Sequence, residues 1–147
     1  VTALEPDRRS FRKLNEWASA NITGDVTLVQ AGAWNEDTVK CFTDQAGRQS
    51  RVEGQGKETQ MRALDSVLSG RPCTYLKMDV EGAEREAIAG AEKTIRQYAP
   101  KLNVAAYHRS EDFFQLPLLI HALQPSYRLY LRHHPYVPAW DTNLYAI

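Results

Sequence analysis

Disulfides, membrane spans and a charge excess are all missing from this chain. Its only two cysteines, Cys41 and Cys73, lie far apart and form no C-x-x-C pair, which speaks against a disulfide framework. No apolar run approaches the roughly 20 residues that a membrane-spanning helix needs. No signal-peptide pattern is visible either. The expectation is a cytoplasmic protein with reduced thiols and no membrane partner. Lys plus Arg number 18 and Asp plus Glu number 18, so the net charge is zero. Dedicated nucleic-acid binders carry a basic excess that neutralises phosphates, so composition gives that class no support. Repeats, linkers and low-complexity tracts are absent too. What remains, 147 residues with 43% hydrophobic and 24% charged content, fits one globular domain over residues 1–147.

Along the chain, "VTALEP" (1–6) reads as a short strand stopped by Pro6. Asp7 can cap a helix in which Phe11, Leu14, Trp17 and Ala18 recur at helical spacing. "VTLVQAGAW" (26–34) reads as one apolar strand. Residues 35–62 are polar, with hairpin-like pieces such as "TVKCF" and "ETQMRAL". "LDSVLSG" (64–70) reads as a short helix closed by Gly70 and Pro72. "CTYLKMDV" (73–80) is a strand. From Glu84, the residues Ile88, Ala91, Ile95 and Tyr98 mark a helix that runs to Pro100. "KLNVAAYH" (101–108) is a further strand, and Ser110 can cap an apolar helix over 111–123, kinked at Pro117. "YRLYLRHH" and "TNLYAI" close the chain as two strands whose short connection dictates antiparallel pairing. Strand and helix in alternation predict an α/β fold, a mostly parallel sheet covered by helices.

In open α/β sheets ligands bind beyond the carboxyl ends of the strands. The residues at those ends are Glu5, Gly32 to Trp34, Asp79 to Glu84, and Tyr107 to Arg109. An acid such as Glu5 can accept hydrogen bonds from the ribose hydroxyls of an adenosine-containing cofactor. Asp7 already serves the helix terminus, which favours the ribose role for Glu5. Trp34 can stack on an adenine or pack into the core. Asp79 and Glu81 leave a strand as two close carboxylates, an arrangement that raises one pKa and suits a general base, a cation partner or a metal ligand. A solvated acidic loop would look the same. Gly82 lets the backbone turn, and Glu84 is explained by the helix dipole alone. His108 can exchange a proton near neutral pH or serve structure. His133 and His134 are adjacent, so a strand points them to opposite faces, against a joint metal site.

"LEPDRRSFRKLNEWASAN", "VTLVQAGAW" and "LKMDVEGAEREAIAGAEKTIRQYAPKL" together resemble the FkbM family of S-adenosylmethionine-dependent methyltransferases. The most specific piece is K-x-D-x-E-G-x-E at Lys77, Asp79, Glu81, Gly82 and Glu84. The resemblance implies the Rossmann-like class I methyltransferase sheet, in strand order 3-2-1-4-5-7-6 with the last strand antiparallel. It implies S-adenosylmethionine as the donor and a hydroxylated small molecule or sugar as the acceptor. By it, Glu5 binds the ribose and the loop Gly32, Ala33 and Trp34 flanks the adenine. Asp79 lies near the methionine part and the transferred methyl, and Tyr107 and His108 face the acceptor. Asp79 or His108 acts as base, with Glu81 beside them. Paired acids such as Asp79 and Glu81 suit magnesium, and nothing in the sequence requires a metal. The first strand and its glycine-rich turn, of the form D-x-G-A-x-x-G, have no counterpart here. The expectation is therefore an N-terminally truncated sheet, missing its first strand and helix, in a C-terminal piece of a longer enzyme. Its open inner edges would invite another chain or a second copy. A non-catalytic domain that binds a partner through those edges is the alternative. A dinucleotide-dependent oxidoreductase would share Glu5 but not the Asp79 to Glu84 pattern.

Overall fold

The computed structural model describes residues 1–42, 57–135 and 141–147. Strand β1 (Thr2–Leu4) stops short of Pro6, which has no N–H for a ladder. Asp7 then caps helix α1 (Arg8–Asn21), its Oδ1 accepting the N–H of Arg9 at 3.1 Å and of Ser10 at 2.8 Å. Ala18 is buried, but Trp17 is 57% exposed, so the buried stripe of α1 is narrower than its apolar spacing implies. Strand β2 (Thr27–Val29) runs parallel to β1, with Thr2 opposite Thr27 and Leu4 opposite Val29.

Residues 26–34 do not form one strand. The Ala31 N–H donates back to the Val29 carbonyl at 3.0 Å, and the chain bends out of the first sheet. Strand β3 (Gly32–Trp34) instead pairs parallel with β5 (Lys57–Ala63), which pairs antiparallel with β4 (Thr38–Phe42). The hairpin expected within 35–62 is therefore present. Residues 43–56 between its strands lie outside the described residues.

Helix α2 (Leu64–Leu68) closes through Ser69 and Gly70, both left-handed with φ of 49° and 79°. The helix expected over 84–98 is two helices, α3 (Glu84–Ala89) and α4 (Glu92–Tyr98). At the break a Cβ on Gly90 would lie 1.9 Å from the Trp34 carbonyl oxygen, so β3 presses on bare backbone. Asp65 of α2 then starts α4 afresh by accepting the N–H of Lys93 and of Thr94, each at 2.9 Å.

The third sheet has the order β6 (Tyr75–Met78), β7 (Lys101–Ala105), β9 (Thr142–Ala146), β8 (Leu129–His133). β6 and β7 are parallel, β8 and β9 are antiparallel as their short connection requires, and β9 is also antiparallel to β7. The separate β2-β1 sheet matches the 3-2 part of the expected order, and β6-β7-β9-β8 matches its 4-5-7-6 part. Among the described residues β1 pairs only with β2, and β6 only with β7. Helix α5 (Asp112–Leu123) accommodates Pro117, and its N-cap is Glu111 rather than Ser110. The core gathers Ile88, Ile95, Leu102, Val104, Leu116, Ile120 and Leu144, each 1% exposed or less. Each such side chain stabilises the fold by about 1.5–3 kcal/mol. Among the described residues no helix is long and apolar enough to cross a membrane.

Candidate active site

β6 ends at Met78, so Asp79 is the first residue to leave the sheet. The turn that follows places Glu81 and Gly82 in the left-handed region, at φ of 54° and 92°. Glycine adopts it freely. For Glu81 it costs about 1–3 kcal/mol, strain that neighbouring contacts must hold. The Val80 N–H donates to Glu84 Oε1 at 3.0 Å, and the Ala83 N–H to the Val80 carbonyl at 3.2 Å. The Arg109 side chain packs over Gly82, its Nε 3.3 Å from where a Cβ would sit.

β7 ends at Ala105, next to the end of β6. Tyr107 and His108 therefore project over the same turn. His108 Nδ1 lies 2.9 Å from Glu84 Oε1. Its Nε2 lies 3.4 Å from Glu81 Oε2 and 3.6 Å from Asp79 Oδ1. Burial works to lower the His108 pKa. The hydrogen bond and charge of Glu84, followed by the charges of Glu81 and Asp79, outweigh it, and the net shift is upward. Tyr107 donates its hydroxyl hydrogen to Asp79 Oδ1 at 3.2 Å. Burial and the Asp79 charge push the phenol up to about 12, so it remains a donor at neutral pH. Lys77 Nζ stands 3.7 Å from Asp79 Oδ2. The cluster is a network of acids around one imidazole, edged by a phenol and a lysine.

Two members escaped the sequence reading. Glu84, read as compensation for the helix dipole, is fully buried and joins the turn to His108. Asp112, in the first turn of α5, is also buried, and neither of its oxygens has a partner among the described residues. Burial, and then the charge of Glu84, raise the Asp112 pKa. A signal did exist. Glu84 shares its face with Ile88 and Ala91, and Asp112 with Leu116 and Ile120. An acid in register with an apolar stripe is an acid destined for the interior.

The structure brings Asp79, Glu81 and His108 together. Glu5 lies just past the end of β1. Its N–H donates to the Val29 carbonyl at 3.1 Å, and its Oε1 accepts the Asp7 N–H at 2.8 Å. Burial raises its pKa against the lowering effect of that bond. Gly32, Ala33 and Trp34, expected as a loop flanking the adenine, are not a loop. They are strand β3, because their backbone pairs with β5. At Gly32 a Cβ would lie 2.8 Å from the Met61 sulfur, so the end of that side chain would have to shift to admit it. The Trp34 ring carries the Lys40 ammonium 4.7 Å from its centroid, a cation–π contact. His133 and His134 take separate partners, Thr142 Oγ1 and the Tyr145 hydroxyl. Asp79, Glu84 and His108 do bring one ligand-capable atom each within 4.8 Å of one another. In this arrangement, however, Nδ1 is committed to Glu84, and Lys77 supplies positive charge to Asp79.

A family model described as the methyltransferase FkbM domain matches residues 1–138. A search of curated proteins found no match. Among solved structures, that of methyltransferase FkbM from Methylobacillus flagellatus KT is similar, with a TM-score of 0.79 and 30% sequence identity. The similarity covers 100% of this chain and 36% of that one, so the chain spans well under half of that relative's length.

Proposed function

The chain belongs to the FkbM methyltransferase family, and on that premise we propose that it serves S-adenosylmethionine-dependent methylation of a hydroxyl oxygen on a small molecule or sugar. The observation that carries the reading is the convergence of Asp79, Glu81 and His108 at the ends of two adjacent parallel strands, β6 and β7. Ligands of open α/β sheets sit at such strand ends. The residues fit a donor with a positively charged sulfur, because Asp79 and Glu81 present negative charge there. Glu5, held in place by the Asp7 N–H, suits the ribose hydroxyls. When bound, S-adenosylmethionine supplies an electrophilic methyl group whose bonding pair departs with sulfur. The chain's residues must hold the acceptor oxygen in line with it and take its proton. Tyr107 donates its one hydroxyl hydrogen to Asp79 and so holds that carboxylate in place. Placing both reactants in one pocket supplies much of the acceleration in such displacements.

The test is calorimetric titration of S-adenosylhomocysteine into this chain, beside a version extended N-terminally through a first strand and its turn. Binding to either supports the reading, and binding to neither sinks it. A second reading draws on β1 and β6, each paired on one side only among the described residues. These edges suit a partner strand or a second copy. Self-association without any donor binding would favour it.

A further inference from the structure

His108 presents two different nitrogens. Nδ1 faces inward, 2.9 Å from Oε1 of the fully buried Glu84. That same oxygen already accepts the Val80 N–H at 3.0 Å. With Glu84 as a carboxylate, its Oε1 accepts at both contacts, and Nδ1 supplies the hydrogen between it and His108. A neutral imidazole so bound must keep its lone pair on Nε2. Nε2 points the other way, towards the partly exposed Asp79 and Glu81 at 3.6 and 3.4 Å. Both distances exceed the roughly 2.7–3.2 Å of a well-made hydrogen bond. Both Asp79 oxygens, by contrast, have neighbours of their own in Tyr107 and Lys77.

We propose that His108 Nε2 takes the proton of the acceptor hydroxyl, and that Glu84 is the positioning residue that holds the imidazole for this task. The proposal rests on the methyltransferase reading above and names its base. In the step, the acceptor O–H bond breaks as the Nε2–H bond forms. The oxygen keeps the electron pair and shares it with the transferred methyl carbon. The resulting imidazolium is balanced by Glu84, and its proton passes to solvent on the open side of the turn. A buried carboxylate behind a histidine fixes both its tautomer and its ring orientation.

Other charged groups face the same ring or its partners. From the β6–α3 turn come Asp79 and Glu81, and Lys77 stands behind Asp79. Tyr107 packs beside the ring with centroids 4.3 Å apart. Arg109 lies over Gly82, and Asp112 of α5 feels the charge of Glu84. Asp112 takes a proton more readily than usual, because of its burial and the charge of Glu84.

The experiment is nitrogen-15 NMR of the histidine rings of this chain through a pH titration, with Glu84→Gln in parallel. In the unsubstituted protein, neutral His108 should be the Nδ1–H tautomer, an observation that needs no variant to fold. Glu84→Gln should lower the His108 pKa by about one unit or more. A neutral His108 protonated on Nε2, or a pKa unmoved by Glu84→Gln, overturns the proposal. With a hydroxylated acceptor, His108→Asn should lower kcat by about 10²–10⁴-fold with little change in donor KM. The rate should also rise with pH through the His108 pKa measured by NMR. A larger kcat loss in Asp79→Asn than in His108→Asn would overturn the assignment of the base. Failure to bind S-adenosylhomocysteine, with the Nδ1–H tautomer intact, would sink the methyltransferase reading and the base with it, while the Glu84–His108 pair stood.

Discussion

Asp65 reaches from α2 to Thr94 of α4, where its Oδ1 accepts the Thr94 backbone N–H at 2.9 Å and the Thr94 hydroxyl at 2.7 Å. Its Oδ2 accepts the Lys93 N–H, and its own N–H donates to the Gly90 carbonyl. One side chain therefore caps a helix that lies 28 residues further along the chain. Asp65→Ala should destabilise the fold by about 1–2 kcal/mol through loss of the cap. Thr94→Val, which removes only the hydroxyl bond, should cost roughly 1 kcal/mol. Urea unfolding of both variants measures this. An Asp65→Ala loss no larger than that of an ordinary surface substitution would mean that the cap contributes nothing.

Gly90 offers a sharper test. Gly90 has ordinary right-handed backbone with φ of −71°, so the smaller freedom of alanine in the unfolded chain alone predicts a gain of about 0.4–1 kcal/mol for Gly90→Ala. The 1.9 Å approach of the Trp34 carbonyl predicts the reverse. Overpacking of this kind costs about 1–3 kcal/mol or more, because β3 must move to admit the methyl. A stabilised Gly90→Ala variant would show that β3 does not rest on this glycine.

The stability of the fold should depend on pH through His108. Its folded pKa is raised above the unfolded value by Glu84, Glu81 and Asp79. The stabilisation is therefore fully present below about pH 6.5, the usual histidine value. It is lost as pH rises through the higher folded value. Denaturation series from slightly acid to alkaline pH should show this decline, and His108→Asn should flatten it. A decline of equal size in the variant would assign it elsewhere.

Asp112 should act with the opposite consequence at neutral pH. Burial and Glu84 raise its folded pKa, so the fold prefers the protonated form. That preference stabilises below the usual carboxyl pKa of about 3.9 and is lost as pH rises through the folded value. Asp112→Asn removes the ionisable group while keeping its shape. It should raise the melting temperature at neutral pH, and the gain should vanish in acid. A gain that persisted in acid, or a loss at neutral pH, would refute this account.

Glu5 can be tested through the donor. If its carboxylate holds the ribose, Glu5→Gln should weaken S-adenosylhomocysteine binding by roughly tenfold, the scale of one charge-assisted hydrogen bond. Unchanged affinity by calorimetry would leave Glu5 as a support for the Asp7 turn alone.

By itself the sequence determined what depends on local chemistry. Pro6, Asp7, Gly70 and Pro100 mark element ends because ring closure, side-chain capping and the lack of a Cβ act within a few residues. The short connection before β9 dictates antiparallel pairing, and Asp79, Glu81 and His108 fall at strand ends by counting along those strands. Tertiary structure decided whatever depends on a distant neighbour. The break between α3 and α4 comes from the Trp34 carbonyl and the Asp65 cap, neither of which is near in sequence. The division of residues 26–34 into β2 and β3 follows from two different partner strands, β1 and β5. Trp17 stays exposed because no partner covers it among the described residues. Glu84 becomes more than a dipole partner only when β7 carries His108 to within 2.9 Å of it. Periodicity reports which face of an element turns inward. Which group awaits it there is set by packing between segments far apart in the chain.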